Sequence, residues 1–175
     1  MNIQQGFAVW LTGIPASGKS SITKELVKKL RELGIAVVVL ESDEMRAILT
    51  PEATYGPEER DRFYRTLVSI GEMITRNGIS VVFDATANKR HYRDHARSRI
   101  SKFAEAYVRC SLEVCVRRDP KGIYHRAAAG ETQTVPGLQS PYEPPLYAEI
   151  TLDGQDTPIR SANTILAALK KLNYI

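Results

Sequence analysis

The residues with the clearest chemical potential in this sequence form a glycine-rich loop, GIPASGKS, at positions 13–20. The loop follows the apolar run 7–11, and a helical repeat of apolar residues begins at Ile22. Glycines at both ends of such a loop let the main chain curve around an anion and direct N–H groups toward it. A strand before the loop and a helix after it are the context in which this pattern binds nucleotide phosphates. The sequence therefore predicts a P-loop.

The side chains of the predicted P-loop have roles that follow from their chemistry. We expect the Lys19 ammonium to act as a catalytic group on the terminal phosphates of a nucleotide, and the Ser20 hydroxyl to hold Mg²⁺. The N-terminal end of the following helix adds positive partial charge beside the phosphates. ATP and Mg²⁺ are the predicted cofactors, and the predicted nucleotide contacts are Gly13, Ala16, Ser17, Gly18, Lys19, Ser20 and Ser21.

Two carboxylates follow apolar runs that are predicted to be strands. Asp43 comes shortly after the run 36–40, and Asp84 directly follows the run 79–83. Ligands of open parallel sheets bind at the carboxyl ends of the strands. We assign Asp43 as the base that accepts the proton of an attacking hydroxyl and Asp84 as the carboxylate that orients Mg²⁺, with the reverse assignment left open. The structural alternatives are an N-cap of the helix near Glu44 for Asp43 and a strand-end turn residue for Asp84.

Basic residues beyond these strand ends are candidates for contacts with anions. Arg46, Arg60 and Arg65 fall on predicted helices that flank the mouth of the site. Because arginine binds phosphate or sulfate through two parallel hydrogen bonds and stays charged, we predict that they bind an anionic substrate. An ordinary surface position is the alternative for each. Arg118 is predicted to contact the base or the migrating phosphoryl group of ATP, and Lys121 to contact the substrate.

Composition restricts the class of protein. With 175 residues, of which 43% are apolar and 25% charged, the chain has the makeup of one globular domain, residues 1–175. No stretch approaches the roughly 20 apolar residues that cross a membrane. The first five residues are not basic and precede no cleavable apolar segment, which predicts a cytoplasmic protein. Cys110 and Cys115 are expected to be reduced, buried thiols.

Positive charge is concentrated in one segment. The net charge is +4, and the range 89–102 holds six basic residues against Asp94 alone. This basic segment is interpreted either as a solvated helix face or as a surface for an anionic small substrate or a nucleic-acid phosphate. Its basic residues are Lys89, Arg90, Arg93, Arg97, Arg99 and Lys102.

Five apolar runs alternate with helical patterns along the chain. The runs are residues 7–11, 36–40, 79–83, 104–110 and 149–152. This alternation indicates an α/β fold, here a P-loop NTPase-type parallel sheet of about five strands with helices on both faces. Most runs lack polar alternation, as in strands that are covered on both faces.

The segment 119–147 departs from this alternation because prolines and glycines are frequent in it. We predict a short helix followed by a long loop that closes as a lid over the substrate, since a long loop in a compact domain is usually functional. A disordered insertion is the alternative, although Tyr124, Tyr142 and Tyr147 give the segment aromatic side chains with which to dock.

Several short stretches resemble the adenylylsulfate kinase family. The predicted lid resembles the family's DPKGLY, AGE, PYEAP and EI, in the form DPKGIY at 119–124, AGE at 129–131, PYEPP at 141–145 and EI at 149–150. Two stretches nearer the N-terminus resemble the family's DGDNVR and FSPEDR, in the form ESDEMR at 41–46 and YGPEER at 55–60.

This resemblance implies a kinase that transfers phosphate from ATP to the 3′-hydroxyl of adenylyl sulfate, a step of sulfate assimilation. It places Asp43 at the family's catalytic aspartate and Arg46 at its substrate arginine. Tyr55 and Arg60 correspond to contacts with the bound nucleotide, and Arg65 to an arginine of the family's ENIRR. The resemblance further implies a small anionic substrate, and a homodimer, which is common in the family. No membrane partner is expected from the composition, and a nucleic-acid partner is disfavoured because Tyr92 is the single aromatic residue interleaved with the basic residues of 89–102.

The departures from the family pattern lie where adenylyl sulfate would bind. The asparagine of ENIRR is Phe63, the family's FISP is ATAN with Thr86 as its second residue, the lid phenylalanine is Val135, and a following aspartate is Gln139. An alternative acceptor is therefore another small anionic or nucleotide-like metabolite, bound by a related P-loop kinase. Two further alternatives stay open: a nucleic-acid kinase or binder that uses the basic segment, and a nucleotide-binding regulatory protein without catalysis.

Overall fold

The five apolar runs form the five strands of one parallel sheet in the computed structural model, which describes residues 5–175. The strands are β1 Ala8–Thr12, β2 Val37–Glu41, β3 Ser80–Asp84, β4 Phe103–Arg109 and β5 Ile150–Asp153. Each predicted boundary lies within one residue of the observed one. Residues 1–4, which make up most of the segment used to predict the absence of a leader, lie outside the described residues.

The helices follow the strands, and some of them begin at side-chain caps. They are α1 Lys19–Glu32, α2 Ser42–Leu49, α3 Pro57–Arg76, α4 Arg90–Arg99, α5 Leu112–Arg118, α6 Ile123–Ala128 and α7 Pro158–Lys171. Of these, α2, α5 and α7 begin at side-chain caps. The hydroxyls of Ser111 and Thr157 accept hydrogen bonds from main-chain N–H groups in the first turns of α5 and α7. Within residues 5–175, no helix is both long and apolar enough to cross a membrane. The predicted α/β fold is confirmed.

The P-loop follows the central strand of the sheet, because the strand order is β2-β3-β1-β4-β5. Alternate side chains of β1 enter two separate cores, Val9 packing with α1 and α7 and Trp10 packing with α3 and α4. Trp10 stacks on Phe83 with ring centroids 4.4 Å apart, and its indole Nε1 donates to Ala85 O at 2.9 Å. Packing on both faces therefore fixes the strand from which the P-loop leaves.

The two edge strands, β2 and β5, are not covered on both faces, contrary to the expectation from the sequence. That expectation is confirmed for β1 and β3, in which every residue is buried. It is wrong for β2, where Val38 is 36% exposed, and for β5, where buried and exposed residues alternate. An edge strand has a neighbour on one side only, and composition alone does not show which apolar run takes that place.

The basic segment 89–102 is largely neutralised by ion pairs inside the protein. Arg93 is fully buried and its Nε donates to Glu105 Oε1 at 2.6 Å. Arg97 Nη2 lies 3.3 Å from Glu105 Oε2, and its Nη1 pairs with Glu149. These contacts tie α4 to β4 and to the residue that precedes β5. The segment therefore serves as a structural connection more than as a solvated face or a surface for nucleic acid.

The predicted lid, residues 119–147, contains α6 and a loop that packs on the P-loop. Tyr124 Oη donates to Pro15 O at 2.8 Å, and Val135 is buried in a cluster with Ile14. The predicted short helix is confirmed. Since the lid shares an apolar cluster with the P-loop, it is docked on the rest of the protein and is not a free insertion.

Candidate active site

The P-loop forms a cradle of main chain at the carboxyl end of β1. Gly13 has a φ of 155°, and a Cβ there would lie 2.7 Å from Val108 O, so glycine is required. Gly18 also has a positive φ, and successive N–H groups in turns of this kind form concave anion sites. Ser17 Oγ is buried and has no hydrogen-bond partner within residues 5–175. An unpartnered hydroxyl beside such a cradle fits a phosphate oxygen.

The Lys19 side chain lies folded against this cradle. Its Nζ donates to Gly13 O at 2.9 Å and to Ile14 O at 3.1 Å. Burial lowers the pKa of Lys19 below its usual value, and the Asp84 carboxylate counteracts part of that shift. Two neutral carbonyl groups stabilise the positive charge of an ammonium less than a phosphate does. An anion bound in the cradle would therefore stabilise the protonated form of Lys19.

Asp84 and Ser20 lie on one side of the P-loop. Asp84 ends β3, is 3% exposed, and has register partners in Leu11 of β1 and Glu41 of β2. It lines a cavity of about 750 Å³ together with Ser20 and Glu41. A hydroxyl and a carboxylate are oxygen ligands of the kind that Mg²⁺ uses when it also binds waters and phosphates. These residues fit the predicted metal, and their assignment to it stays a prediction.

Asp43 lies in the first turn of α2, where it forms an ion pair with the lid. Its Oδ2 is 2.6 Å from Lys121 Nζ, which also lies 3.8 Å from Glu41 Oε1. The hydrogen bond to Asp43 raises the pKa of Lys121. The N-cap alternative for Asp43 is wrong, because Glu41 is the cap and accepts from Glu44 N at 2.9 Å.

Glu41 is a site residue that the sequence analysis did not select. It ends β2 beside Asp84, and burial raises its pKa. Its position directly after the predicted strand 36–40 is the sequence signal for it. Asp43, two residues further on, carries the same charge, so the pattern alone does not separate the two carboxylates.

Arg46 is held between two aromatic rings at the mouth of the site. Its guanidinium carbon lies 4.0 Å from the ring centroid of Phe63 and 4.8 Å from that of Tyr55. It also pairs with Glu59, a second residue that the sequence analysis did not select. The Glu59 carboxylate accepts in addition from Tyr55 N at 2.7 Å. Arg46 and Tyr55 are thus neighbours, in direct contact through the Tyr55 ring and joined also through the Glu59 carboxylate.

Arg60 uses its guanidinium for contacts inside the protein. Its Nε donates to Tyr55 O at 2.9 Å, its Nη1 to Asn88 Oδ1 at 3.1 Å, and its Nη2 to Thr134 O at 2.9 Å. Arg65 is exposed on α3, and its Nε donates to Asp61 O in the same helix. Among the described residues no hydrogen bond joins Arg65 to the other predicted site residues.

Arg118 lies beside the P-loop at the end of α5. Its Nη1 donates to Gly154 O at 2.7 Å, and a Cβ on Gly154 would lie 3.0 Å from Ser17 O. Ser21 is exposed on the first turn of α1. The arrangement as a whole combines a main-chain cradle suited to phosphate, a buried ammonium, two strand-end carboxylates and a mouth that holds Arg46. These are the groups that phosphoryl transfer to a hydroxyl requires.

Comparison with known proteins supports this chemistry. A family model described as Adenylylsulphate kinase matches residues 5–153. The adenylyl-sulfate kinase of Rippkaea orientalis (strain PCC 8801 / RF-1) is 40% identical over 173 residues, covering 98% of this chain and 96% of that protein. The probable adenylyl-sulfate kinase of Pyrococcus abyssi (strain GE5 / Orsay) is 35% identical over 172 residues, covering 98% and 99%.

A solved structure agrees with the sequence relatives. The Mycobacterium tuberculosis APS kinase in complex with AMPPNP and APS has a TM-score of 0.90 to this protein at 30% identity, covering 95% of this chain and 98% of that one. Fold, P-loop context and sequence therefore agree over nearly the whole chain. The chain belongs to the adenylylsulphate kinase family of phosphotransferases.

Proposed function

We propose that this protein transfers the γ-phosphoryl group of ATP to the 3′-hydroxyl of adenylyl sulfate, giving 3′-phosphoadenylyl sulfate and ADP. The observation that carries the proposal is the position of Asp43, which pairs with Lys121 of the lid at 2.6 Å. Its charge also acts on the buried Lys19 of the P-loop, where it raises the pKa of that ammonium against the larger lowering by burial. The M. tuberculosis relative binds AMPPNP and APS on a closely similar fold, which supports both ligands.

The chemical step assigns one task to each group. The acceptor oxygen attacks the γ-phosphorus, the bond from that phosphorus to the β–γ bridging oxygen breaks, and the Asp43 carboxylate takes the hydroxyl proton. Lys19 balances negative charge on the transferred group and on the leaving ADP. Mg²⁺, when bound at Ser20 and Asp84, neutralises charge on the β- and γ-phosphates. Arg118 lies where it can contact the nucleotide beside the P-loop.

The acceptor is held on the other side of Asp43. Arg46 carries the positive charge there, and its two aromatic neighbours and Glu59 fix its guanidinium, which favours recognition of an anion in one orientation. Lys121 adds a second cation close to the base. Arg60 supports this mouth through Tyr55.

A second candidate acceptor, another small anionic or nucleotide-like metabolite, is favoured by the departures in the mouth. Phe63 offers Arg46 a ring face where the family has a hydrogen-bonding side chain. Gln139 is used inside the lid, since its Oε1 accepts from Val135 N at 3.2 Å and its Nε2 donates to Thr132 O at 2.7 Å. The two candidates differ only in the acceptor.

A coupled assay of ADP formation over a panel of acceptors tests the proposal. The panel contains adenylyl sulfate, adenosine monophosphate, other nucleotides and sugar acids, each with MgATP. We expect adenylyl sulfate to raise turnover far above basal ATP hydrolysis and to yield a product that carries phosphate on the 3′-oxygen. If adenylyl sulfate adds nothing to basal hydrolysis while another acceptor does, the second candidate is correct. The homodimer stays a prediction, for which light scattering on the purified protein is the direct measurement.

A further inference from the structure

Asn88 occupies a buried position between the mouth of the site and the lid. It follows β3 by four residues and is 5% exposed. Its side-chain carbonyl accepts from Arg60 Nη1 at 3.1 Å, and its side-chain Nδ2 donates to Pro141 O at 3.0 Å. One amide therefore contacts α3 on one side and the lid on the other.

The contacts of Arg60 extend this connection in both directions. Through Nε, Arg60 holds the carbonyl of Tyr55, whose φ of 57° is in the left-handed region, and whose ring packs against Arg46. Through Nη2, Arg60 holds Thr134 in the lid. The mouth, defined by Arg46 and Tyr55, and the lid residues 134–141 thus share one chain of hydrogen bonds.

We propose that Asn88 is a positioning residue of the kinase, and that its side-chain amide joins the mouth to the lid so that both are held in place together over the acceptor. This inference rests on the proposed function, because it concerns the same site.

Two substitutions separate the two contacts of the amide. Asn88→Ala removes both. Asn88→Asp keeps the oxygen that accepts from Arg60 but loses the donor to Pro141 O and places a carboxylate oxygen next to that carbonyl. Ile165→Val, on the buried face of α7, serves as a control for a general loss of stability. Asn163→Ala, at an exposed position of the same helix, serves as a neutral control.

Hydrogen–deuterium exchange and kinetics provide the test. Both Asn88 variants are expected to exchange faster than the natural protein in peptides from the lid, and only Asn88→Ala is expected to exchange faster in peptides covering residues 54–60. Loss of a hydrogen bond to a charged partner corresponds to about a tenfold effect. We therefore expect KM for the acceptor to rise about tenfold in Asn88→Ala, with the dissociation constant of MgATP unchanged because the P-loop is intact.

Three results would overturn the inference. The first is a rate of deuterium exchange in the lid of Asn88→Ala that equals that of the natural protein, and the second is equally faster exchange at residues 54–60 in both Asn88 variants. The third is that Ile165→Val, at a comparable loss of thermal stability, shows the same lid exchange and the same KM as Asn88→Ala. The exchange measurement requires only the protein, with or without MgATP. If adenylyl sulfate is not the acceptor, faster lid exchange in Asn88→Ala still supports the positioning role. If adenylyl sulfate is the acceptor and lid exchange does not change, the positioning role fails and the proposed function stands.

Discussion

Asp43→Asn should abolish most of the turnover and leave the fold and nucleotide binding intact. The substitution removes the group that accepts the proton and keeps the size of the side chain. Loss of a general base lowers rates by about 10²- to 10⁴-fold, which is about 2.7–5.4 kcal/mol in the activation free energy. Stability should change little, because the Asp43 and Lys121 side chains are 61% and 54% exposed and such pairs contribute about 0.2–1 kcal/mol.

Steady-state ADP formation with saturating MgATP and adenylyl sulfate measures this effect, and equilibrium titration with MgATP measures binding separately. Glu52→Gln makes the same chemical change at an exposed carboxylate beyond α2 and should leave turnover unchanged. Retention of more than about a tenth of the natural kcat in Asp43→Asn would contradict the assignment of the base. Asp84→Asn would then be the variant to examine for the reverse assignment.

Three further outcomes follow from the packing and the charges. Gly71→Ala should lower the free energy of unfolding by about 1–3 kcal/mol in chemical denaturation, because its Cβ would lie 2.2 Å from Phe83 Cζ in the core. Burial raises the pKa of Glu149, but hydrogen bonds from Arg97 and a main-chain N–H outweigh it, so that the pKa lies below its usual 4.5. The ionised Glu149 therefore stabilises the fold above pH 4.5, and this stabilisation is lost as the pH falls through the lower pKa of the folded state. Glu149→Gln should accordingly lose less stability than the natural protein when the solution is acidified. Burial raises the pKa of Cys115 to about 12, so iodoacetamide at pH 8 should modify it far more slowly in the folded protein than in urea, as measured by mass spectrometry.

The strands and the P-loop could be predicted from the sequence because their signals are local. Each strand is a short apolar run, and GIPASGKS specifies a turn conformation through its glycines. The role of Arg60 was less accessible, since its three partners come from positions 55, 88 and 134 and are neighbours only in the folded chain. The same holds for Arg93, which looks like part of a charged helix face and is fully buried against Glu105.

The carboxylates at the strand ends could be predicted from the sequence only in part. The rule for ligands of parallel sheets directs attention to residues 41–46 and to Asp84, and in the structure Glu41 and Asp84 are register partners at the ends of β2 and β3. The rule does not say which member of the run caps α2. The helix begins at Ser42, two residues earlier than a cap at Asp43 would require, and Glu41 is the cap. Helix starts depend on competition among neighbouring cap residues, which sequence pattern resolves only to within a few positions.

The indole of Trp10 provides a spectroscopic consequence of the central strand. Trp10 is the single tryptophan of the chain and lies within β1, the strand that leads into the P-loop. Its indole N–H donates to the carbonyl of Ala85, the residue after Asp84. The tryptophan fluorescence of the protein, excited selectively over its eight tyrosines, therefore comes from one emitter in the strand that leads into the P-loop. Its emission monitors denaturation, and its response to titrated nucleotide reports on the active site without an added label.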